Sequence, residues 1–272
     1  MLTQYNDPRI FNSSKENSDV TGSVSTFILE SDPIQVPRNA SNVTIGLVSA
    51  TFWYNFPNII DKSWIIRLYD DETIGLADPY RDLTIPIPTG LYSLSQLAGT
   101  LSRGLTNAGY LSDRIVLGGD NATQKCTFLF TGDSRDTIIF KKDGGIGKIV
   151  GVGEEDTTIQ PPLVGDAKIP CFVLCPKVAN FNAVNVVYIT MDEVYGISTN
   201  AGRVGTLVAI PLQVSPGSQQ VYQPSYPIQI PSQELIGRRL NRITLRLKDE
   251  KGNALNTLGE TFSVCLDIQW KV

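Results

Sequence analysis

At 272 residues, 42% hydrophobic and 18% charged, the chain is long enough to bury a sizeable core and too apolar to stay disordered. A net charge of -4 argues against phosphate-backbone binding as the main task, and the absence of histidine removes the common general base, the common metal ligand and every Ser-His or Cys-His nucleophile. No apolar run approaches the ~18 residues of a spanning helix, and the start, Met1 to Asp7, lacks signal-peptide character, so synthesis in a cytosol-like compartment is expected.

Residues 1–22 are polar and show no apolar period, which predicts an arm that is disordered or orders only on a partner. Strands are expected at Ser25–Glu30, at Val43–Trp53 and at Trp64–Tyr69, the last closed by the acidic turn Asp70-Asp71-Glu72. Leu83–Pro88 is a further short strand. A helix then follows: Ser93 and Gln96 form a capping box, Leu94, Leu97, Ala98, Leu101 and Leu105 recur at helical spacing, and Gly109 suits the C-terminal cap. Strands at Arg114–Leu117, Lys125–Phe130 and Thr137–Lys141 and a glycine-rich stretch over 144–153 complete a small α+β block ending near Pro161-Pro162.

Beyond it the two-residue period returns at Val184–Met191, Thr206–Leu212, Tyr226–Pro231, Ile243–Lys248 and Thr261–Trp270. Lys248 through Asn253 has turn chemistry, so the last two runs read as an antiparallel hairpin with one dry face. Three strands before the block and five after it make eight, the number in a jelly roll. Counting Cys171–Cys175 as a core strand gives nine and a less defined sandwich. The fold class expected is therefore mainly β: an eight-stranded antiparallel jelly-roll sandwich over 23–69 and 166–272, with a small α+β insertion domain over 70–165.

Few motifs carry chemistry. Gly145-Ile146-Gly147-Lys148-Ile149-Val150-Gly151 lacks the Ser or Thr after lysine that a Walker loop needs, and its third glycine comes one position late for a dinucleotide fingerprint. It reads as a buried turn packing Ile146, Ile149 and Val150 on the helix. Neither Asp70-Asp71-Glu72 nor Glu154-Glu155-Asp156 has the spacing of a calcium loop, so both read as solvated turns. Cys126, Cys171, Cys175 and Cys265 lack zinc-ligand spacing. Cys171 and Cys175 on one strand would stand roughly 13 Å apart, too far for a disulfide. Free thiols are expected, and no catalytic, cofactor or metal residue is assigned.

Two clusters are candidates for a subunit interface. Alternation buries only about half of Phe52, Trp53, Tyr54 and Phe56 within one sheet, so the rest is available to a partner or to the core. Arg238 and Arg239, with Arg242, form a basic knot that suits an acidic neighbour subunit or stands as solvated strand-end charge.

The stretch from Val187 to Trp270 resembles the penton (minor capsid) proteins of virophages and polinton-like viruses. The residues that carry this are Val187-Tyr188-Ile189-Thr190-Met191-Asp192, Ala209-Ile210-Pro211-Leu212, the run from Ile243 to Leu255 and the run from Gly259 to Ile268. Leu83-Thr84-Ile85-Pro86 and the run from Gly90 to Leu97 are similar to the strand-helix unit of that family, while Val150-Gly151-Val152 departs from it. The resemblance implies a single jelly roll with an insertion, a homopentamer at the icosahedral vertices of a virion put together in the host cytoplasm, and a double jelly-roll major capsid protein as neighbour. It also implies that the insertion projects to a host surface or fibre and that the arm orders on an adjacent subunit. No cofactor, nucleic acid or membrane span is expected. The alternative is a β-sandwich spike head binding a receptor or carbohydrate through exposed aromatics. An enzyme without histidine needs a carboxylate pair, and none stands out.

Overall fold

The first strand of the fold is one whose sequence hides it. In the computed structural model, which describes residues 3–70, 79–133, 135–142, 146–162, 170–182, 184–195, 197–199 and 202–272, Gln4–Asn12 (β1) pairs residue for residue with Ser263–Lys271. Pairing extends past both ends, with Thr3 and Val272 exchanging backbone bonds and Ser13 donating to Phe262 O at 2.8 Å. The expected free arm over 1–22 is therefore corrected for β1. This is an edge strand, so its backbone pairs on one side only, and Asp7 and Arg9 occupy inward-side positions where an apolar period would show. Only Phe11 is buried, its ring 5.1 Å from Phe27.

The remaining principal strands of this unit are Val24–Ile28 (β2), Ser41–Trp53 (β3), Val186–Met191 (β4), Gly202–Pro211 (β5), Gln219–Tyr222 resumed as Gln229–Pro231 (β6), Arg242–Lys248 (β7) and Ser263–Lys271 (β8). Two antiparallel sheets result. The first has the order β1-β8-β3-β6, and the second β2-β7-β4-β5 with a short strand, Ile197–Thr199, outside β5. That alternation between sheets along the chain is jelly-roll connectivity. The inward faces meet in one core: Ile45, Leu47 and Leu266 from the first sheet, Ile189, Ile243 and Leu245 from the second. Pro224 and Pro227 fall in the break of β6, as expected of residues without a ladder donor.

The expected terminal hairpin does not form. β7 pairs with β2 and β4, β8 with β1 and β3, and the connection over 249–262 crosses between the sheets. Its start is the turn foreseen: Asp249 Oδ1 accepts from Lys251 N and Asn253 N, and Gly252 takes φ +84°. Two strands with one dry face each pack across a core as readily as they pair edge to edge, and the side-chain period is the same either way.

The second compact unit is Pro57–Ala183, the first being Met1–Phe56 with Val184–Val272. It takes in Lys62–Tyr69, which contains the run counted above as a jelly-roll strand. Here that strand lies between Tyr80–Ile87 and Thr137–Phe140, with Thr157–Ile159 beyond. Cys171–Leu174 belongs to this unit too, pairing with Lys125–Phe130 and so with Ile115–Asp120, which removes the nine-strand sandwich. The boundary expected at 165/166 lies outside the described residues.

The unit's main helix, Leu94–Asn107 (α1), begins with the reciprocal cap read from sequence: Gln96 N donates to Ser93 Oγ and Ser93 N to Gln96 Oε1. Leu97, Leu101 and Leu105 are buried, and Trp64 Nε1 donates to Thr100 Oγ1 at 3.0 Å. Ile146 and Val150 join the same core around one helical turn, Gly147–Val150, with Ile149 partly buried against it. Gly151 ends that turn at φ +82°, where a Cβ would come within 2.3 Å of the Lys177 carbonyl oxygen. Gly145 lies outside the described residues.

Candidate functional site

The aromatic cluster at the end of β3 divides. Phe52, Tyr54 and Phe56 are 2%, 5% and 1% exposed, and Phe56 stands 6.2 Å from Phe52 and 5.9 Å from Tyr54, ring to ring. Tyr54 is fixed by its backbone, donating to Ser218 O and accepting from Gly217 N, and burial pushes its phenol pKa up. These three are core residues of the jelly roll, which corrects their reading as interface: the two-residue period of β3 continues past its end, so 52, 54 and 56 share the dry side while 53 and 55 face away. Trp53 is 40% exposed and points away from the core opposite Gln219. It stays a candidate, but a single exposed tryptophan does not make the aromatic platform that a spike head requires.

Arg238 and Arg239 are exposed on a two-stranded ribbon, where Arg239 pairs with Gln35 and Val36 N donates to Arg238 O. Arg38 lies against Gly237 on the same ribbon. Its place in the cluster was not visible in sequence, because 200 residues separate it from its neighbours. No ion pair to these three arginines occurs among the described residues.

The acidic turn at 154–156 is engaged with lysines. Asp156 accepts from Lys142 N and Lys141 Nζ, Glu154 pairs with Lys148, and Glu155 lies 3.4 Å from Lys142. Asp71 and Glu72 lie outside the described residues. Among the described residues no group of three or more Cys, Asp or Glu side chains is arranged to hold a metal ion.

All four cysteines are free. In the Pro57–Ala183 unit Cys126 and Cys175 are buried in one core, with Cys175 N donating to Cys126 O at 2.9 Å, and burial pushes their thiols up to about 11 and about 12. Cys171 and Cys265 are only partly covered. The thiolate is the reactive form, so an aromatic disulfide reagent at pH 8 is expected to modify Cys171 and Cys265 first. Cys126 and Cys175 should react only on unfolding. Peptide mapping that finds all four labelled at one rate in the native protein would contradict the burial described.

The fold thus defines a class: a single jelly roll interrupted between β3 and β4 by an independent α+β unit. A scan against protein-family models finds no match, and neither does a search of curated proteins. Among solved structures, the chain is similar to the selenomethionine-labelled mavirus penton protein at 10% identity and a TM-score of 0.47, covering 99% of this chain and 100% of that one. It is also similar to a chain of the Sputnik virophage structure at 3.5 Å by cryo-electron microscopy, at 12% identity and a TM-score of 0.41, with 97% of each chain covered. At these scores the assignment of fold rests on the strand pairing above.

Proposed function

We propose that the chain is a structural virion protein, a penton of the virophage and polinton-like-virus type, acting by assembly and not by catalysis. Five copies join head to tail through heterologous contacts that close into a ring at an icosahedral vertex, among capsomers of a double jelly-roll major capsid protein. The inserted unit serves contacts to a host surface or fibre. The observation that carries this reading is the interrupted jelly roll itself: the unit from Pro57 to Ala183 leaves the sandwich after β3, and the chain rejoins it at β4. The residues that resemble the family lie on both sides of that junction, from Gly90 to Leu97 within the insert and from Val187 to Trp270 beyond it. The spike-head alternative finds less support, since three of its four aromatics are buried.

Purified full-length protein, imaged in negative stain and weighed by mass photometry, is expected to give five-lobed rings of five times the 29.8 kDa chain mass. A monomer at every concentration and salt would overturn the proposal.

A further inference from the structure

The two ends of the jelly roll differ in charge. Arg38 stands just before β3, against Gly237, and Arg238 and Arg239 stand just before β7 on the ribbon that pairs Ile34–Gln35 with Arg239–Leu240. All three are exposed, as is Arg242 at the first position of β7. β3 is 13 residues long, so at ~3.3 Å per residue roughly 40 Å of strand separates this end from the one where the insert departs after Phe56. The insert also returns at that far end, because Tyr188, early in β4, pairs with Lys248 at the close of β7.

The carboxylates nearest the arginines have other partners. Asp32 binds Arg9, Asp192 binds Arg246, Glu193 accepts from Thr244 N, and Glu234 accepts from Tyr195 N. Glu30, exposed after β2, makes no ion pair among the described residues, and neither do Arg38, Arg238, Arg239 and Arg242. The end that carries the insert has more acids than bases, with Glu16, Asp19, Asp249, Glu250 and Glu260 against three lysines.

A guanidinium is a planar fork that grips phosphate oxygens in pairs. Beside the four forks Gln35, Asn39 and Asn241 are exposed, and amide side chains of this kind join arginine on sugar and phosphate. The apolar residues of the ribbon, Ile34, Val36 and Leu240, are buried, so it offers a bilayer no exposed aliphatic side chain. The net charge of -4 does not oppose an anion here. Screening at physiological salt limits the range to about 8 Å, so a phosphate at this end senses the arginines and not the acids at the other.

We infer that Arg38, Arg238, Arg239 and Arg242 form a docking surface for the phosphate backbone of nucleic acid, on the end of the jelly roll away from the insert. The inference rests on the vertex role proposed above: with the insert turned outward, this end faces the packaged genome. Phosphate contacts fix position without reading sequence, which suits a vertex that meets whatever stretch of genome lies beneath it.

Full-length protein, weighed by mass photometry in the same buffers, is titrated against a fluorescein-labelled DNA duplex and followed by anisotropy. With four phosphates neutralised, binding is expected to weaken on the order of 100-fold between about 50 and 200 mM salt. The variant Arg38→Gln, Arg238→Gln, Arg239→Gln, checked for an unchanged melting temperature, is expected to bind at least tenfold more weakly at the lower salt and to lose most of the salt dependence. Lys15→Gln with Lys251→Gln, at the other end, should bind as wild type does. Poly-L-glutamate and phosphatidylcholine vesicles carrying phosphatidylserine serve as competitors at equal charge, and neither should displace the duplex. Displacement by polyglutamate would assign the surface to an acidic protein, and displacement by vesicles to a membrane; either overturns the inference. Rings that leave the duplex unbound, or an arginine variant that binds as tightly as wild type, would overturn it and leave the ring intact. A monomer that binds the duplex through these arginines would instead remove the ring and leave the docking surface standing.

Discussion

Removing residues 1–12 is expected to unfold the jelly roll, not to trim an arm from it. Nine consecutive residues of β1 pair with β8, and their loss leaves β8 a bare edge with open N–H and C=O groups. Phe11 leaves the core at the same time, uncovering Phe27. Ser13, itself buried, accepts from Phe262 N at 2.6 Å and loses its anchor. The ring alone is informative: Phe11→Ala is expected to cost ~3–5 kcal/mol, a large part of the ~5–15 kcal/mol by which a domain is stable. Circular dichroism melts of the full chain, the truncation and the point variant measure the effect. A truncated chain that is soluble and melts with the full-length protein would show that β1 contributes nothing to the fold.

The second large effect is expected inside the inserted unit, at a clamp that ties three chain segments together. Asp136 is fully buried and accepts from Arg114 Nε at 2.8 Å, Arg114 Nη2 at 2.9 Å and Tyr69 N at 2.8 Å, and Arg114 Nη2 also donates to the Tyr69 carbonyl. The hydrogen bonds to Asp136 hold the Arg114 guanidinium pKa above its ordinary value. Tyr110 stacks below Arg114 at 5.1 Å. Asp136→Ala leaves a half-buried cation and an unpaired Tyr69 N–H, for which the expected loss is ~3–5 kcal/mol. Two compact units make a single unfolding free energy ill defined, so hydrogen exchange is the suitable measurement. Amides of Lys62–Tyr69 and Thr137–Phe140 should exchange much faster in the variant, while those of β3 and β8 keep their protection. Uniform protection across both units would sink the clamp's assigned role.

The two expectations fall where sequence is least informative. Asp136 and Arg114 are 22 residues apart on different segments, and neither has a neighbour in sequence that marks it as buried. β1 is polar at most positions because an edge strand has a dry side only where the second sheet overlaps it, at Phe11. The aromatic cluster at 52–56 was legible as apolar but not as core. A period of two puts Phe52, Tyr54 and Phe56 on one side and Trp53 on the other, and which side is dry depends on the sheet packed against β3.

Local chemistry was determined by the sequence alone. Ser93 and Gln96 set the start of α1, Leu97, Leu101 and Leu105 set its buried stripe, and Asp249 with Gly252 set a turn. Each involves groups within about four residues, where steric and hydrogen-bond rules act without reference to the rest of the chain. Alternation also marked most strands of the sandwich, because a half-buried strand carries a period of two whatever it pairs with. Partnership was decided only in the tertiary structure. β7 and β8 look like a hairpin and stand in different sheets, Lys62–Tyr69 looks like a sandwich strand and belongs to the insert, and β1 looks like a tail and closes the first sheet. Backbone hydrogen bonds are the same for every pair of strands, so the choice among partners falls to the burial of whole faces, a property no single segment carries.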